Sequence, residues 1–359
     1  MLALRLARGS RPLVQLRRLL VAAASAGTGF LLLYVLAEAL DRPAGSFPRL
    51  LWALVPLAAT VHFAVAVART DPATRPREGL DAAGLGPVRL TLVAAISTAV
   101  ACTLGSALAL AAFLHLRGDL AGLPFDGAGG PLLHAGRPLP LAAALTLLAL
   151  VPLTASAATA LALRPGTRRP LAPQSGLPWG ITLTACGLAV EAYAGRGGAG
   201  MLTGWCLTAI GLALAGPGLA YAGGTLMAAA RPGGLRLLAG RTLQEEAPRL
   251  GPPLGVLCAI GAGALSALAL RDRGGLLLPL GPLSGPAAAL VALCAAATLL
   301  TSAVEARQAR AAGRDALLDL GAPAKVLRTA ASLRATALIA VCVPVSWGVA
   351  QLTSLALTR

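Results

Sequence analysis

The chain has 359 residues, of which 57% are hydrophobic and only 12% charged, and its mean hydropathy is +0.76. Too few polar side chains are present to cover a soluble globule of this length, so the composition predicts an integral membrane protein. The net charge of +16 would suit a nucleic-acid-binding protein, but aromatic residues make up only 3% and the arginines form no single patch. We therefore expect no nucleic-acid partner.

Nine apolar runs follow one another along the chain, each at or near the roughly 17 to 25 residues that a helix needs to cross the hydrocarbon core. They lack the alternation of apolar and polar residues that is typical of barrel strands, so all nine are predicted to be helices. The fifth run is short and ends near Glu191. The predicted spans are Leu19–Leu40, Leu50–Val67, Leu90–Leu114, Pro140–Leu163, Trp179–Tyr193, Met201–Ala228, Pro253–Leu270, Pro286–Val304 and Ala335–Leu357.

The distribution of basic residues predicts the orientation of these spans. With a cytoplasmic N-terminus, 22 of the 30 lysines and arginines fall in inside segments and 8 in outside segments. Because cytoplasmic loops are enriched in basic residues, we expect a multi-pass protein of the plasma (inner) membrane with its N-terminus in the cytoplasm and its C-terminus outside. Met1–Arg18 is a long basic lead before a run long enough to span, so we expect no cleavable signal peptide.

A short phrase recurs near the two ends of the chain. Residues 77–84, REGLDAAG, return as residues 314–321, RDALLDLG, at an offset of 237, each between two spans on the predicted cytoplasmic side. The lead-in at 2–5, LALR, returns at 238–241 as LAGR, at an offset of 236. Two matches in the same order at nearly the same offset indicate an internal duplication.

Each copy of the phrase predicts a short amphipathic helix between two spans. In the second copy Gly321 can supply a left-handed cap, and Pro323 prevents continuation. In the first copy Glu78 complements the positive helix end and Gly84 ends the helix. Such a helix could lie flat on anionic headgroups or could dock a cytoplasmic partner. The duplication favours docking, because two similar sites suit a dimeric partner.

The sequence offers no catalytic, cofactor-binding or metal-binding motif. The phosphate-loop pattern G-x-x-x-x-G-K-[ST] is absent, and the only lysine, Lys325, follows no glycine loop. We therefore expect no enzymatic activity in the chain itself. The charges of Glu245–Arg249 are expected to be a solvated cluster on a cytoplasmic loop.

Ionisable residues within the spans are candidates for function by default. His62 lies in the middle of a span, and we interpret it as a neutral packed histidine in preference to a proton relay. Glu38 and Glu191 lie near the outer ends of spans and are expected to reach interfacial water. The six cysteines all fall within predicted spans and are interpreted as small buried apolar residues.

The repeated motif resembles the cytoplasmic turn of the FtsX-like (MacB-type) permeases of ABC transporters. In that family an arginine, an acidic residue, a leucine pair and a glycine follow the second helix of a four-helix unit. The matching residues here are Arg77, Glu78, Leu80 and Gly84 in the first copy, and Arg314, Asp315, Leu317, Leu318 and Gly321 in the second.

The resemblance implies an all-α membrane protein with two related units. Residues 1–163 would form a first unit of four helices, residues 164–230 two linking helices, and residues 231–359 a second unit that lacks the family's fourth helix. Only short loops separate the first two spans of each unit, so the large extracellular domain usual in the family is not expected.

The resemblance also implies a function. The chain would be a permease subunit whose shape changes when a separate cytoplasmic ATPase, as a dimer, hydrolyses ATP, and the nine matching residues would contact that ATPase. Its cargo would be an amphiphilic lipid or peptide antibiotic, exported or extracted from the membrane. No cofactor is expected, since the partner binds ATP. Whether one chain or a homodimer acts among the lipids stays open. An ion-coupled secondary transporter and a non-transporting scaffold or regulator are the alternatives.

Overall fold

The computed structural model describes residues 12–43, 46–71, 87–120, 126–164, 176–194, 199–229, 233–272, 283–311 and 323–358, together with residues 313, 315, 319 and 321. These parts of the chain contain nine long helices and no strand. The helices are α1 (Pro12–Asp41), α2 (Ser46–Thr70), α3 (Pro87–Arg117), α4 (Leu141–Ala162), α5 (Gly176–Ala194), α6 (Ala199–Ala228), α7 (Gly234–Asp272), α8 (Ser284–Ala309) and α9 (Ala324–Thr358).

Eight of these helices are long and apolar enough to cross a membrane, which confirms a multi-pass membrane protein. The exception is α5, whose hydropathy lies below this criterion, so the ninth span stays a prediction. Glycine, threonine and Glu191 lower the hydropathy of this helix, although its 19 residues would extend about 28 Å. By contrast α7, with 39 residues, is about 58 Å long and exceeds the hydrocarbon thickness.

The chain divides into two compact units. The first comprises Met1–Arg168 and Leu280–Cys294, and the second comprises Arg169–Pro279 and Ala295–Arg359. Helices α1 to α4 therefore belong to the first unit and α5, α6, α7 and α9 to the second, while α8 is divided between them. The internal duplication of the sequence stays a prediction.

The core of the first unit centres on Phe113 of α3, whose side chain is fully buried. Its ring meets Phe30 of α1 edge to face, with ring centroids 5.4 Å apart. Leu33 of α1 and Leu148 of α4 belong to the same cluster, so three helices share one apolar core. Burial of such rings is the largest apolar contribution available to a helix bundle.

Buried hydroxyl groups link the helices of the first unit. The Oγ of Ser25 on α1 donates to the carbonyl oxygen of Cys102 on α3 at 2.8 Å. The Oγ1 atoms of Thr28 on α1 and Thr60 on α2 are 2.7 Å apart. Interhelical hydrogen bonds of this kind contribute about 0.6 kcal/mol each in membrane proteins.

In the second unit α6 packs closely against α5 and α7 where glycines face each other. A Cβ atom added to Gly187 of α5 would lie 2.8 Å from the carbonyl oxygen of Gly204 on α6. A Cβ atom added to Gly216 of α6 would lie 2.8 Å from the backbone nitrogen of Gly255 on α7. Only hydrogen fits at these positions, so glycine permits the close approach of the backbones.

The outward surface of the helices is apolar. Large aliphatic side chains repeat every four residues along the exposed face of α3, namely Leu92, Ile96, Val100, Leu104 and Leu108. A continuous stripe of this kind would be an aggregation hazard in water but is the expected surface in contact with lipid.

Candidate partner-docking site

We call residues 72–86, between α2 and α3, the first motif segment, and residues 310–323, between α8 and α9, the second motif segment. Arg77, Glu78, Leu80 and Gly84 all lie outside the described residues. So do three members of the second copy: Arg314, Leu317 and Leu318. The structure therefore tests only two of the predicted contact residues for position.

Asp315 and Gly321 are the predicted contact residues that the structure describes. Asp315 has helical backbone and is exposed. Gly321 is exposed, has a φ of 87°, and has no atom within 4 Å of a Cβ placed there. This left-handed conformation is the one that the sequence predicts for a helix cap. Helix α9 then begins at Ala324, directly after Pro323.

A cluster of charges lies at the base of the second motif segment. Glu246 of α7 is flanked by Arg310, which follows α8, and by Arg334 of α9. The Nε of Arg310 is 2.8 Å from Oε1 of Glu246, and Nη1 of Arg334 is 3.5 Å from Oε2. The Nε–H of Arg310 donates its hydrogen bond to the carbonyl oxygen of Ala306 at 3.0 Å. One carboxylate thus holds the helices on both sides of the motif segment to α7.

The charge cluster around Glu246 is mostly buried, which distinguishes it from an ion pair on the protein surface. The side chain of Glu246 is 11% exposed and that of Arg334 is 14% exposed, so solvent screens their attraction weakly. The sequence interpretation of Glu245–Arg249 as a solvated cluster on a loop is wrong in two respects: these residues are part of helix α7, and Glu246 is buried. Glu245 and Arg249 are exposed, as expected. Glu246 is buried because it points to the helix face that packs against the unit.

A signal for this burial was present in the sequence. Ala239, Leu243, Glu246 and Leu250 are all buried, and their spacing of three or four residues places them on one face of α7. A carboxylate on an otherwise apolar helix face predicts a partner of opposite charge, since an unpaired buried charge is costly.

An ion pair also lies beside the first motif segment. Nη2 of Arg18 on α1 is 2.6 Å from Oδ2 of Asp71, the residue that follows α2. The neighbouring Arg17 donates from Nη1 to Oγ1 of Thr70, the last residue of α2, at 3.2 Å. Asp71 is largely buried, with 11% of its side chain exposed, whereas Arg18 is 38% exposed.

The ion pairs beside the two motif segments have the same arrangement, with the positions of the positive and negative residues exchanged. Arg18 on α1 is paired with Asp71, and Glu246 on α7 is paired with Arg310. In each case the first helix of the predicted repeat binds the residue that directly follows the second helix. In each pair the carboxylate is largely buried while the arginine is partly exposed, at 38% for Arg18 and 35% for Arg310.

Several intramembrane residues differ from the sequence interpretation. His62 is exposed on the surface of its unit. Glu38 and Glu191 are buried, at 6% and 0% exposure, and so do not reach water as expected. Among the cysteines, Cys186 and Cys206 are exposed, which the prediction of buried apolar residues did not anticipate. These differences arise because burial depends on which helices meet, and a single helix does not encode that.

No group of three or more His, Cys, Asp or Glu side chains that could hold a metal ion occurs within the described residues.

A scan against family models, a search of curated proteins and a search of solved structures each gave no match to the chain.

Proposed function

We propose that the chain is the membrane subunit of an ABC transporter and that its two motif segments dock a dimeric cytoplasmic ATPase. The chain would convert closure of the ATPase dimer into movement of its helices. By resemblance to the FtsX-like permeases, the cargo would be an amphiphilic lipid or peptide antibiotic. The ATPase would supply the nucleotide-binding site.

The observation that carries this proposal is the duplicated motif. Residues 77–84 and 314–321 match without a gap, and both occur between two apolar runs on the predicted cytoplasmic side. A helix that only rested on headgroups would not need an arginine, an acidic residue and a glycine at fixed spacing in both copies. A pair of docking sites for a symmetric partner would need this, because each half of a dimer meets an equivalent surface.

The ion pairs beside the motif segments support the coupling part of the proposal. Arg310 and Arg334 hold the flanking helices to Glu246, and Arg18 holds α1 to Asp71. A docking helix connected flexibly to its neighbours would move without consequence. One connected through these ion pairs would pass its movement to α1 or to α7.

The proposal is tested by purifying the affinity-tagged chain from its native membrane and measuring ATP hydrolysis in the eluate. We expect activity, and we expect the double variant Leu80→Asp with Leu317→Asp to lose it. Each substitution removes a predicted apolar anchor of the interface, a loss of about 2 kcal/mol or roughly 30-fold in affinity. The amount of membrane-inserted permease should be unchanged.

A matched control is Leu132→Asp, which changes a 60%-exposed leucine in the connection between α3 and α4, on the predicted outside. It should retain ATPase activity. Equal activity in the double variant and the control would favour the headgroup-lying interpretation. Absence of ATPase activity from the native eluate, with the permease intact, would overturn the ABC assignment.

An ion-coupled carrier is the second candidate function. The observation that favours it is Glu191, a carboxyl group with no exposed surface on a helix among membrane spans. Transport that persists in vesicles without ATP and collapses with a protonophore would select this candidate over the first.

A further inference from the structure

Glu191 is enclosed at the junction of three helices of the second unit. It lies near the end of α5, and its side chain has 0% exposure. Thr208 of α6 donates from Oγ1 to Oε1 of Glu191 at 3.0 Å, and Thr353 of α9 lies beside the carboxyl group. Gly204 of α6 packs against it, since a Cβ there would be 2.5 Å from Cγ of Glu191.

The second oxygen of this carboxyl group has no hydrogen-bond partner. Oε2 is buried, and no donor reaches it. An ionised carboxylate offers about four acceptor sites, and burying a charge with half of its sites unused costs far more than burying a neutral acid. A proton on the carboxyl group removes the charge, and what is left is one neutral oxygen without a partner, which costs about 1–3 kcal/mol.

No positive charge compensates Glu191 within the described residues. Arg334, the basic residue of α9 nearest in sequence to Thr353, precedes it by about 28 Å along the helix. The titratable or charged side chains of the three helices are otherwise Cys186 and Tyr193 on α5, Cys206 and Tyr221 on α6, and Lys325, Arg328 and Cys342 on α9.

We propose that Glu191 is a proton-binding site whose occupancy holds α5 against α6 and α9. When the proton is bound, the neutral carboxyl group lies between Thr208 and Thr353 and the junction is closed. When the proton leaves to water, the carboxylate requires hydration and the junction opens. This inference does not depend on whether ATP or an ion gradient drives transport.

The first test is infrared spectroscopy of the purified protein in lipid nanodiscs at neutral pH. The carbonyl stretch of a protonated carboxyl group should appear in the native chain, shift in D2O, and be missing from Glu191→Gln. It should persist in Glu245→Gln, which changes an exposed glutamate. If Glu191→Gln does not fold, Thr208→Val replaces it and should move the band by removing one hydrogen bond. A band unaffected by these changes, or absent from the native chain, would overturn the proposal.

The second test asks whether the proton controls the junction. Ala350 of α9 is 3% exposed and lies about one turn before Thr353. In a cysteine-free background, labelling of Ala350→Cys by a membrane-permeant maleimide is followed from neutral to alkaline pH, with and without Glu191→Gln. The pH dependence of the thiol itself is the same in the two proteins. The ratio of the labelling rate with native Glu191 to the rate with Glu191→Gln therefore reports the effect of Glu191 alone. We expect the ratio to rise by about tenfold or more as the buried charge forms. A constant ratio would refute control of the junction by the proton.

Discussion

Replacing Glu246 with glutamine should weaken the second unit strongly, because it removes the one negative charge that lies between two arginines. Glu246 and Arg334 are 11% and 14% exposed, so their attraction is poorly screened, while Arg310 is 35% exposed and can partly regain water. Breaking a buried ion pair from one side costs about 3–5 kcal/mol. The partial exposure of Arg310 places our expectation near the lower end, at about 3 kcal/mol.

The measurement is unfolding in mixed micelles by titration with SDS, followed by far-UV circular dichroism. Glu245→Gln is the matched control, because Glu245 is adjacent but exposed, and it should change the free energy of unfolding by less than about 0.5 kcal/mol. The double variant Glu246→Gln with Arg334→Gln should lose less than the sum of the single changes, with a coupling of about 0.5–3 kcal/mol. Equal stability of Glu246→Gln and Glu245→Gln would refute the charge cluster.

Three further outcomes are expected. In a cysteine-free background, Ala83→Cys and Ala316→Cys should resist an impermeant thiol reagent in intact cells and react after permeabilisation; labelling in intact cells would reverse the predicted orientation. Gly187→Ala should destabilise the chain by about 1–3 kcal/mol, since its methyl group meets the backbone of α6, whereas Gly263→Ala meets no atom within 4 Å and should be neutral or stabilising by up to about 1 kcal/mol. His62→Gln should leave transport largely intact because His62 is exposed, whereas a hydrolysis-dead partner ATPase should abolish transport; the opposite pair of results would favour the carrier.

The helices could be predicted from the sequence because a membrane span is a strong local signal. An apolar run either has the length to cross the bilayer or does not, and eight helices meet that condition. Helix α5 is the exception, since its glycines and threonines lower its hydropathy. The same small residues let it approach α6, so the features that weaken the sequence signal are those that make the packing possible.

The environment of charged residues could not be predicted in the same way. Glu246 and Glu191 were both expected to be solvated, and both are buried. Their partners, Arg310 and Arg334 for the first and Thr208 and Thr353 for the second, lie mostly on helices distant in the chain. The left-handed conformation of Gly321 was predictable, because it depends on a single residue and its immediate neighbours.

The glycine contacts of α6 make its tolerance of mutation depend on side-chain volume. Lipid is as apolar as leucine, so trimming a large side chain from a lipid-facing surface costs little there. At Gly204 or Gly216 any substituent occupies space that the facing backbone already fills. In a saturation-mutagenesis map of this helix, the smallest residues should therefore be the least replaceable, and the ranking of positions should be the inverse of that found in the core of a water-soluble protein.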